Sequence, residues 1–295
     1  MSKVGFIGVG TMGCPMSANI LRKGNNLNFY DPYIKESNKK KIISLGGKYC
    51  TSIKELLHKR DFVITMLPNG RNVKEICLNN NGLLQQEEKN YIYIDMSTIL
   101  PADSISINEE FKLKNIPMFD APVARLVSNA IDGTLLIMVG GDKKKFDTVS
   151  PLLETMGSDV VFCGSNGSGS KMKIINNYMS IVSNIVTAET LSLVEKSGID
   201  FNLAINLLNS TTAGKGHLNT SYPLKVLKND IAPGFKNTLA LKDLKLALEH
   251  GRIDGIDLRT GKSTLKNYED ADKTKYKELD WTSMFNYIKE INNLD

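Results

Sequence analysis

Gly8, Gly10 and Gly13 lie in the run Lys3-Val4-Gly5-Phe6-Ile7-Gly8-Val9-Gly10-Thr11-Met12-Gly13, and Asp31 closes a second apolar run, Leu27-Asn28-Phe29-Tyr30. Glycines at this spacing between a strand and a helix do one kind of chemistry, the cradling of phosphate. Gly8 permits the tight turn, Gly10 lets the backbone approach a pyrophosphate, and Gly13 lets the helix pack close to the strand. The helix start adds unpaired N–H groups and a partial positive charge. With strand, helix and acid in place, the pattern predicts dinucleotide binding. Asp31 narrows the prediction to NAD, because a carboxylate there accepts from a ribose 2′-hydroxyl and repels a 2′-phosphate. Lys35, Lys39, Lys40 and Lys41 offer the opposite, NADP reading. They fall on a predicted helix after Pro32, however, and read as a solvated face.

Nicotinamide chemistry also needs a group that exchanges a proton with the substrate oxygen, and groups that hold the substrate. Lys173, Asn177 and Ser180 stand four and seven positions apart and share one face of a predicted helix, with Asn176 at its edge. Lys171 points elsewhere. Lys173 is therefore the expected general acid, with Asn177 orienting the substrate or the amine. A free lysine titrates near about 10.4, so desolvation against the nicotinamide must tune it.

The elements that position these groups come in two textures. Up to residue 163, short β-rich runs such as Phe62–Thr65, Tyr91–Asp95, Pro117–Asp120 and Leu135–Val139 alternate with helical stretches. That alternation predicts an α/β Rossmann domain with a doubly wound, mostly parallel sheet. Ligands sit outside the carboxyl ends of such strands, where Asp31, Leu67-Pro68-Asn69, Ser97-Thr98 and Pro122-Val123 fall. After the glycine-rich segment 164–169, expected to be the hinge, residues 170–197 carry an unbroken helical pattern. Further helices are expected at 200–209, 238–250 and 282–291, and no strand pattern returns. The expected domains are thus 1–163, binding the dinucleotide, and 164–295, all-helical. A helix of that length spans roughly 40 Å. It is long enough to underlie two domains or to pair with a second subunit, so a homodimer or homotetramer is expected.

Composition sets the outer bounds. The chain has 295 residues, 41% hydrophobic and 23% charged, as in ordinary globular proteins. The net charge of +5 comes from scattered lysines, which gives nucleic-acid binding little support. No apolar stretch approaches a membrane span, and no signal peptide is expected before the first strand. Cys14, Cys50, Cys77 and Cys163 form no C-x-x-C pair, and with three histidines no metal-ligand spacing arises. The cysteines read as buried free thiols in a reducing cytoplasm.

Taken together, several of these segments resemble the β-hydroxyacid dehydrogenase family, which includes 3-hydroxyisobutyrate dehydrogenase and tartronate semialdehyde reductase. They are Gly8 to Gly13 with Met16, Met66-Leu67-Pro68, Asp95-Met96-Ser97-Thr98, Asp120-Ala121-Pro122-Val123, Gly133-Thr134-Leu135, Gly169 to Lys173 with Asn176-Asn177, and Lys242-Asp243. The resemblance is collinear over nearly the whole chain. It implies a multimer, a catalytic lysine at Lys173 and an active-site role for Asn177. It also places Thr11, Met12, Met66, Leu67, Pro68, Thr98 and Lys242 at the cofactor, and Ser97 and Val123 beside nicotinamide and substrate.

Within the family, Ile64 to Gly70, Asn129-Ala130-Ile131, Ile175 to Ile181 and Ala213 to His217 resemble the bacterial 3-sulfolactaldehyde reductase branch. That likeness implies reduction of a short aldehyde with a sulfonate tail, held by Arg125, Asn176 and Ser180. Most relatives follow Pro-Val with Ser-Gly-Gly, whereas this chain has Ala124-Arg125, and a guanidinium fork suits a tetrahedral anion. Ala124, Leu126 and Val127 depart from the branch, with two hydroxyls replaced by apolar groups. Succinic semialdehyde or a 3-hydroxyisobutyrate-type substrate therefore stays open, as does a non-catalytic dinucleotide sensor, against which Lys173 and Asn177 argue.

Overall fold

A computed structural model describes residues 1–294. The first half alternates as the sequence predicts: β1 Lys3–Ile7, α1 Gly13–Arg22, β2 Asn26–Tyr30, α2 Glu36–Ser44, β3 Lys48–Tyr49, α3 Ile53–Leu57, β4 Phe62–Thr65, α4 Gly70–Leu78, β5 Ile92–Asp95, α5 Pro101–Leu113 and β6 Met118–Asp120. Then come β7 Val123–Ala124, α6 Val127–Asp132, β8 Leu135–Gly140, α7 Phe146–Leu153, β9 Gly157–Gly164 and α8 Ser168–Lys196. The strands form one sheet in the order β3-β2-β1-β4-β5-β6-β8-β7, with β9 on β8. Pairing is parallel from β3 through β6, while β8 runs antiparallel to β6 and β7. This is a doubly wound, mostly parallel sheet followed by helices.

The apolar runs explain why the sheet is covered on both faces. Val4, Phe6, Leu27, Phe29, Ile64 and Ile94 are buried in one core layer, and Ile7, Val63, Val73, Tyr93 and Phe111 in the other. Each such side chain contributes about 1.5–3 kcal/mol when fully buried. Helix starts are signalled locally. Asn69 caps α4 by accepting the Asn72 N–H, and Pro101 opens α5, where its missing N–H is harmless.

The chain divides into two compact units, Met1–Tyr178 and Met179 onward. Residues 164–169 are tied to the sheet edge by the Gly141 N–H to the Gly164 carbonyl and by the Gly167 N–H to Asp120. The second unit continues with α9 Phe201–Ser210, α10 Thr212–Lys215, α11 Ser221–Leu224, α12 Asn237–Ile253, α13 Arg259–Ala271 and α14 Met284–Ile291. Its interior is held by polar staples as well as apolar contacts. Buried Asn237 donates to the Tyr276 carbonyl at 2.8 Å, and buried Asp280 accepts from Gly234, Phe235 and Thr282 N–H groups. Helix α13 was not among the sequence expectations; Thr260, Gly261, Asn267 and Asp270 blunt its helical signal.

Of the cysteines, Cys14, Cys50 and Cys77 are buried, while Cys163 is only partly so, which corrects the expectation of four buried thiols. No helix among the described residues is long and apolar enough to cross a membrane.

Candidate active site

At the carboxyl edge of the parallel strands, the turn after β1 and the turn after β4 enclose a cleft of about 640 Å³. Gly8, Gly10 to Gly13, Asp31 and Met66-Leu67-Pro68 line it, all in the first unit. Gly8 adopts φ 92°, and a Cβ there would run into the Met66 carbonyl. A Cβ on Gly13 would likewise strike the Gly8 carbonyl, so this glycine permits the approach of α1 to the strand. At Gly10 a Cβ would meet nothing within 4 Å. Protein packing therefore does not require Gly10 to be bare, whereas a phosphate brought against its backbone would. Helix α1 starts behind Met12 with no side-chain cap; the Cys14 N–H is taken by the Gly10 carbonyl and Pro15 has none, which leaves the Gly13 N–H of the first turn for an anion. The cradle fits a dinucleotide.

Asp31 is held at the lip of this cleft. Its carboxylate accepts the Val9 N–H at 2.9 Å and the Tyr33 N–H at 2.8 Å. Asn38 braces the same loop by donating to the Val9 carbonyl at 2.9 Å. Lys39 packs over the Tyr49 ring, and Lys35, Lys40 and Lys41 are exposed. Tyr33 and Asn72 also line the cleft, and the sequence reading missed both. For Tyr33 the signal was present, an exposed aromatic two residues beyond the acid.

Beneath the Leu67 turn lies a buried polar relay. Ser97 is buried, and its Oγ accepts the Leu67 N–H at 2.9 Å, so it fixes the turn. The Ser97 N–H donates to Asp95 Oδ1, which also accepts from Thr65 Oγ1 at 2.8 Å. With Thr65 donating to Asp95, the Tyr93 hydroxyl donates to Thr65, and Cys77 donates to Tyr93. Burial pushes Asp95 up to about 6, against the pull of its hydrogen bonds from Ser97 and Thr65. Its Oδ2 has no partner among the described residues. Thr98, the next residue along the edge, is exposed, and Val123 is buried.

Helix α8 brings Lys173 and Asn177 onto one face, and both are half-buried. Lys171 and Asn176 are exposed, and the Asn176 side-chain amide donates to Asn177 Oδ1 at 3.3 Å. Burial holds the Lys173 amine below the ordinary lysine value of 10.5. A lysine shifted in this direction is better suited to proton exchange near neutral pH. Ser180 and Lys242 belong to the second unit; Ser180 is exposed, and Lys242 pairs with Asp243 at 3.1 Å.

Arg125 departs from its expected role. Its Nη2 lies 2.6 Å from Asp159 Oδ2, and its Nη1 donates to the Thr134 carbonyl and to Ser158 Oγ. The backbone at Arg125 sits at φ 82°. The fork expected to grip a substrate anion is turned, in this structure, on an internal carboxylate. The partnership depends on β9 pairing beside β8, which puts Asp159 opposite Leu136, itself paired with Ala124.

Two family models cover the chain: residues 3–164 match the NAD-binding domain of 6-phosphogluconate dehydrogenase, and residues 167–288 match the NAD-binding domain of NADP-dependent 3-hydroxyisobutyrate dehydrogenase. The chain belongs to the 3-hydroxyisobutyrate dehydrogenase family. It is 34% identical over 289 residues to 3-sulfolactaldehyde reductase of Escherichia coli (strain K12), covering 98% of this chain and 96% of that one. It is also 34% identical over 293 residues to the mitochondrial 3-hydroxyisobutyrate dehydrogenase of Mus musculus, covering 97% and 87%. Among solved structures, the 3-hydroxyisobutyrate dehydrogenase of Mycobacterium tuberculosis with L-serine matches at a TM-score of 0.67 and 28% identity, over 98% of this chain and 99% of that one. Membership makes this chain an NAD(P)-dependent oxidoreductase acting on CH–OH groups.

Proposed function

We propose that this family member uses NADH to reduce a short aldehyde with an anionic tail, with 3-sulfolactaldehyde as the first substrate to test. The observation that carries the reading is the half-buried pair Lys173 and Asn177, with the lysine held below its ordinary value by burial. A bound reduced nicotinamide supplies the hydride for the carbonyl carbon. Lys173 donates an Nζ proton to the carbonyl oxygen as negative charge builds there, and Asn177 orients that oxygen or the amine. Asn176 and Ser180 hydrogen-bond the tail, a task that falls to them because Arg125 is engaged by Asp159. Ser97 and Val123 flank the substrate, while Thr98 serves the cofactor. Asp31 favours NAD, since its carboxylate has lone pairs left for a 2′-hydroxyl and none of the attraction a phosphate needs.

Likeness supports the substrate class: relatives at equal identity are named for 3-sulfolactaldehyde and for 3-hydroxyisobutyrate. The distinguishing experiment is NADH oxidation against 3-sulfolactaldehyde, succinic semialdehyde, methylmalonate semialdehyde and tartronate semialdehyde. 3-Sulfolactaldehyde should give the highest kcat/KM. A clear preference for one of the carboxylates would replace it, and no turnover with any would favour a dinucleotide sensor.

A further inference from the structure

Asp120 takes no part in the chemistry above, yet its surroundings are specific. It ends β6, is fully buried, and has no cationic partner among the described residues. Such a carboxylate is costly unless its oxygens are satisfied. Both are, by backbone donors at the start of α8: Oδ1 accepts the Gly167 N–H at 2.6 Å, and Oδ2 accepts the Ser170 N–H at 2.7 Å. Gly167, the residue before the helix, has no side chain with which to cap it. The cap therefore comes from across the fold, and the positive end of α8 meets the negative charge.

The approach is close enough to depend on two bare positions. A Cβ on Gly140, the register partner of Asp120, would lie 2.5 Å from Oδ1. One on Gly169 would run into the Met138 carbonyl oxygen and lie 2.7 Å from that of Asp120 and 3.0 Å from Oδ2. Ser170 precedes Lys173 by three residues, or about one helical turn. Fixing the Ser170 backbone therefore fixes both the height and the rotation of the turn that carries Lys173. Burial alone accounts for the lowered lysine, so Asp120 acts on it through position and not through charge.

We propose that Asp120 is a positioning residue, capping α8 from the sheet edge and thereby setting where Lys173 meets the substrate oxygen. This rests on the reading of Lys173 as the proton donor. Asp120→Asn keeps the size of the side chain but places an NH₂ against a backbone N–H. It should lower kcat about ten- to a hundredfold while KM for NADH moves less than about threefold. Amide exchange at Gly167 and Ser170 should quicken, and the alkaline limb that Lys173 gives the pH–rate profile should stay in place. Gly140→Ala, whose Cβ would meet Asp120 Oδ1 first and so press on the cap from the sheet side, should reproduce the pattern and carries the test if Asp120→Asn does not fold. Val149→Ala, a truncation elsewhere in the core, should lower Tm without lowering kcat. Wild-type kcat in Asp120→Asn or Gly140→Ala, with Lys173→Ala inactive, overturns this proposal alone. Normal turnover by Lys173→Ala overturns the reading beneath it as well.

Discussion

The guanidinium of Arg125 closes on the carboxylate of Asp159, with Nη2 and Oδ2 2.6 Å apart, and Ser158 and the Thr134 carbonyl complete its surroundings. A residue chosen from sequence to hold a substrate anion thus holds an internal one. Arg125→Ala and Asp159→Ala should each leave Tm almost unchanged, as the loss of an exposed ion pair does. Neither should change KM for an anionic aldehyde by more than about twofold. A selective rise in KM for anionic over uncharged aldehydes in Arg125→Ala would show instead that the pair opens to admit substrate.

Asp31 faces the cleft with its carboxylate fixed by Val9 and Tyr33 N–H groups. NADH should therefore give a much higher kcat/KM than NADPH. Asp31→Ala should narrow the gap by an amount consistent with one charge-assisted hydrogen bond, about 1.5–3 kcal/mol. Equal use of the two cofactors by the unmodified protein would contradict the assignment.

The glycine turn, the acid at the end of β2 and the long helix were legible because each is a local pattern with its own spacing. The alternation of strands and helices likewise dictated the sheet. Partnerships made by topology were not legible. Nothing near Arg125 in sequence announces Asp159, which reaches it only because β8 reverses direction and β9 pairs beside it. Asp120 was visible as a charge ending an apolar strand, but its role needed the start of α8 at hydrogen-bond distance. Tyr33 and Asn72 were missed because neither belongs to the glycine motif.

Buried Asp95 makes a prediction about stability. Its folded value is raised from 3.8 to about 6, so the folded state holds the proton more tightly than the unfolded chain. The stabilisation this gives is fully present below pH 3.8 and is lost as pH rises through about 6. Asp95→Asn has no such charge to bury. Its unfolding free energy, relative to wild type in denaturant titrations, should improve by up to about 3 kcal/mol between pH 4 and 7. A difference that stays flat across this range would mean that Asp95 is ionised in the fold at little cost.

Helix α8 exposes Ile175, Tyr178, Ile181 and Ile185 in the single chain. Apolar residues spread around a helix in this way are expected to be covered by a second copy. Sedimentation at micromolar concentration should give a homodimer or homotetramer. A strictly monomeric mass would contradict this.

Proton donation by Lys173 is the central claim, and single-turnover NADH oxidation by Lys173→Ala and Lys171→Ala, measured across pH, tests it most directly. Lys173→Ala should lose about 10²–10⁴ in rate with NADH affinity retained, and Lys171→Ala should stay near wild-type rates. Because aldehyde reduction needs the protonated amine, the wild-type rate should fall as pH rises through a value below 10.5, and this limb should be absent in Lys173→Ala. Full activity in Lys173→Ala, or an inactive Lys171→Ala in its place, would contradict the account.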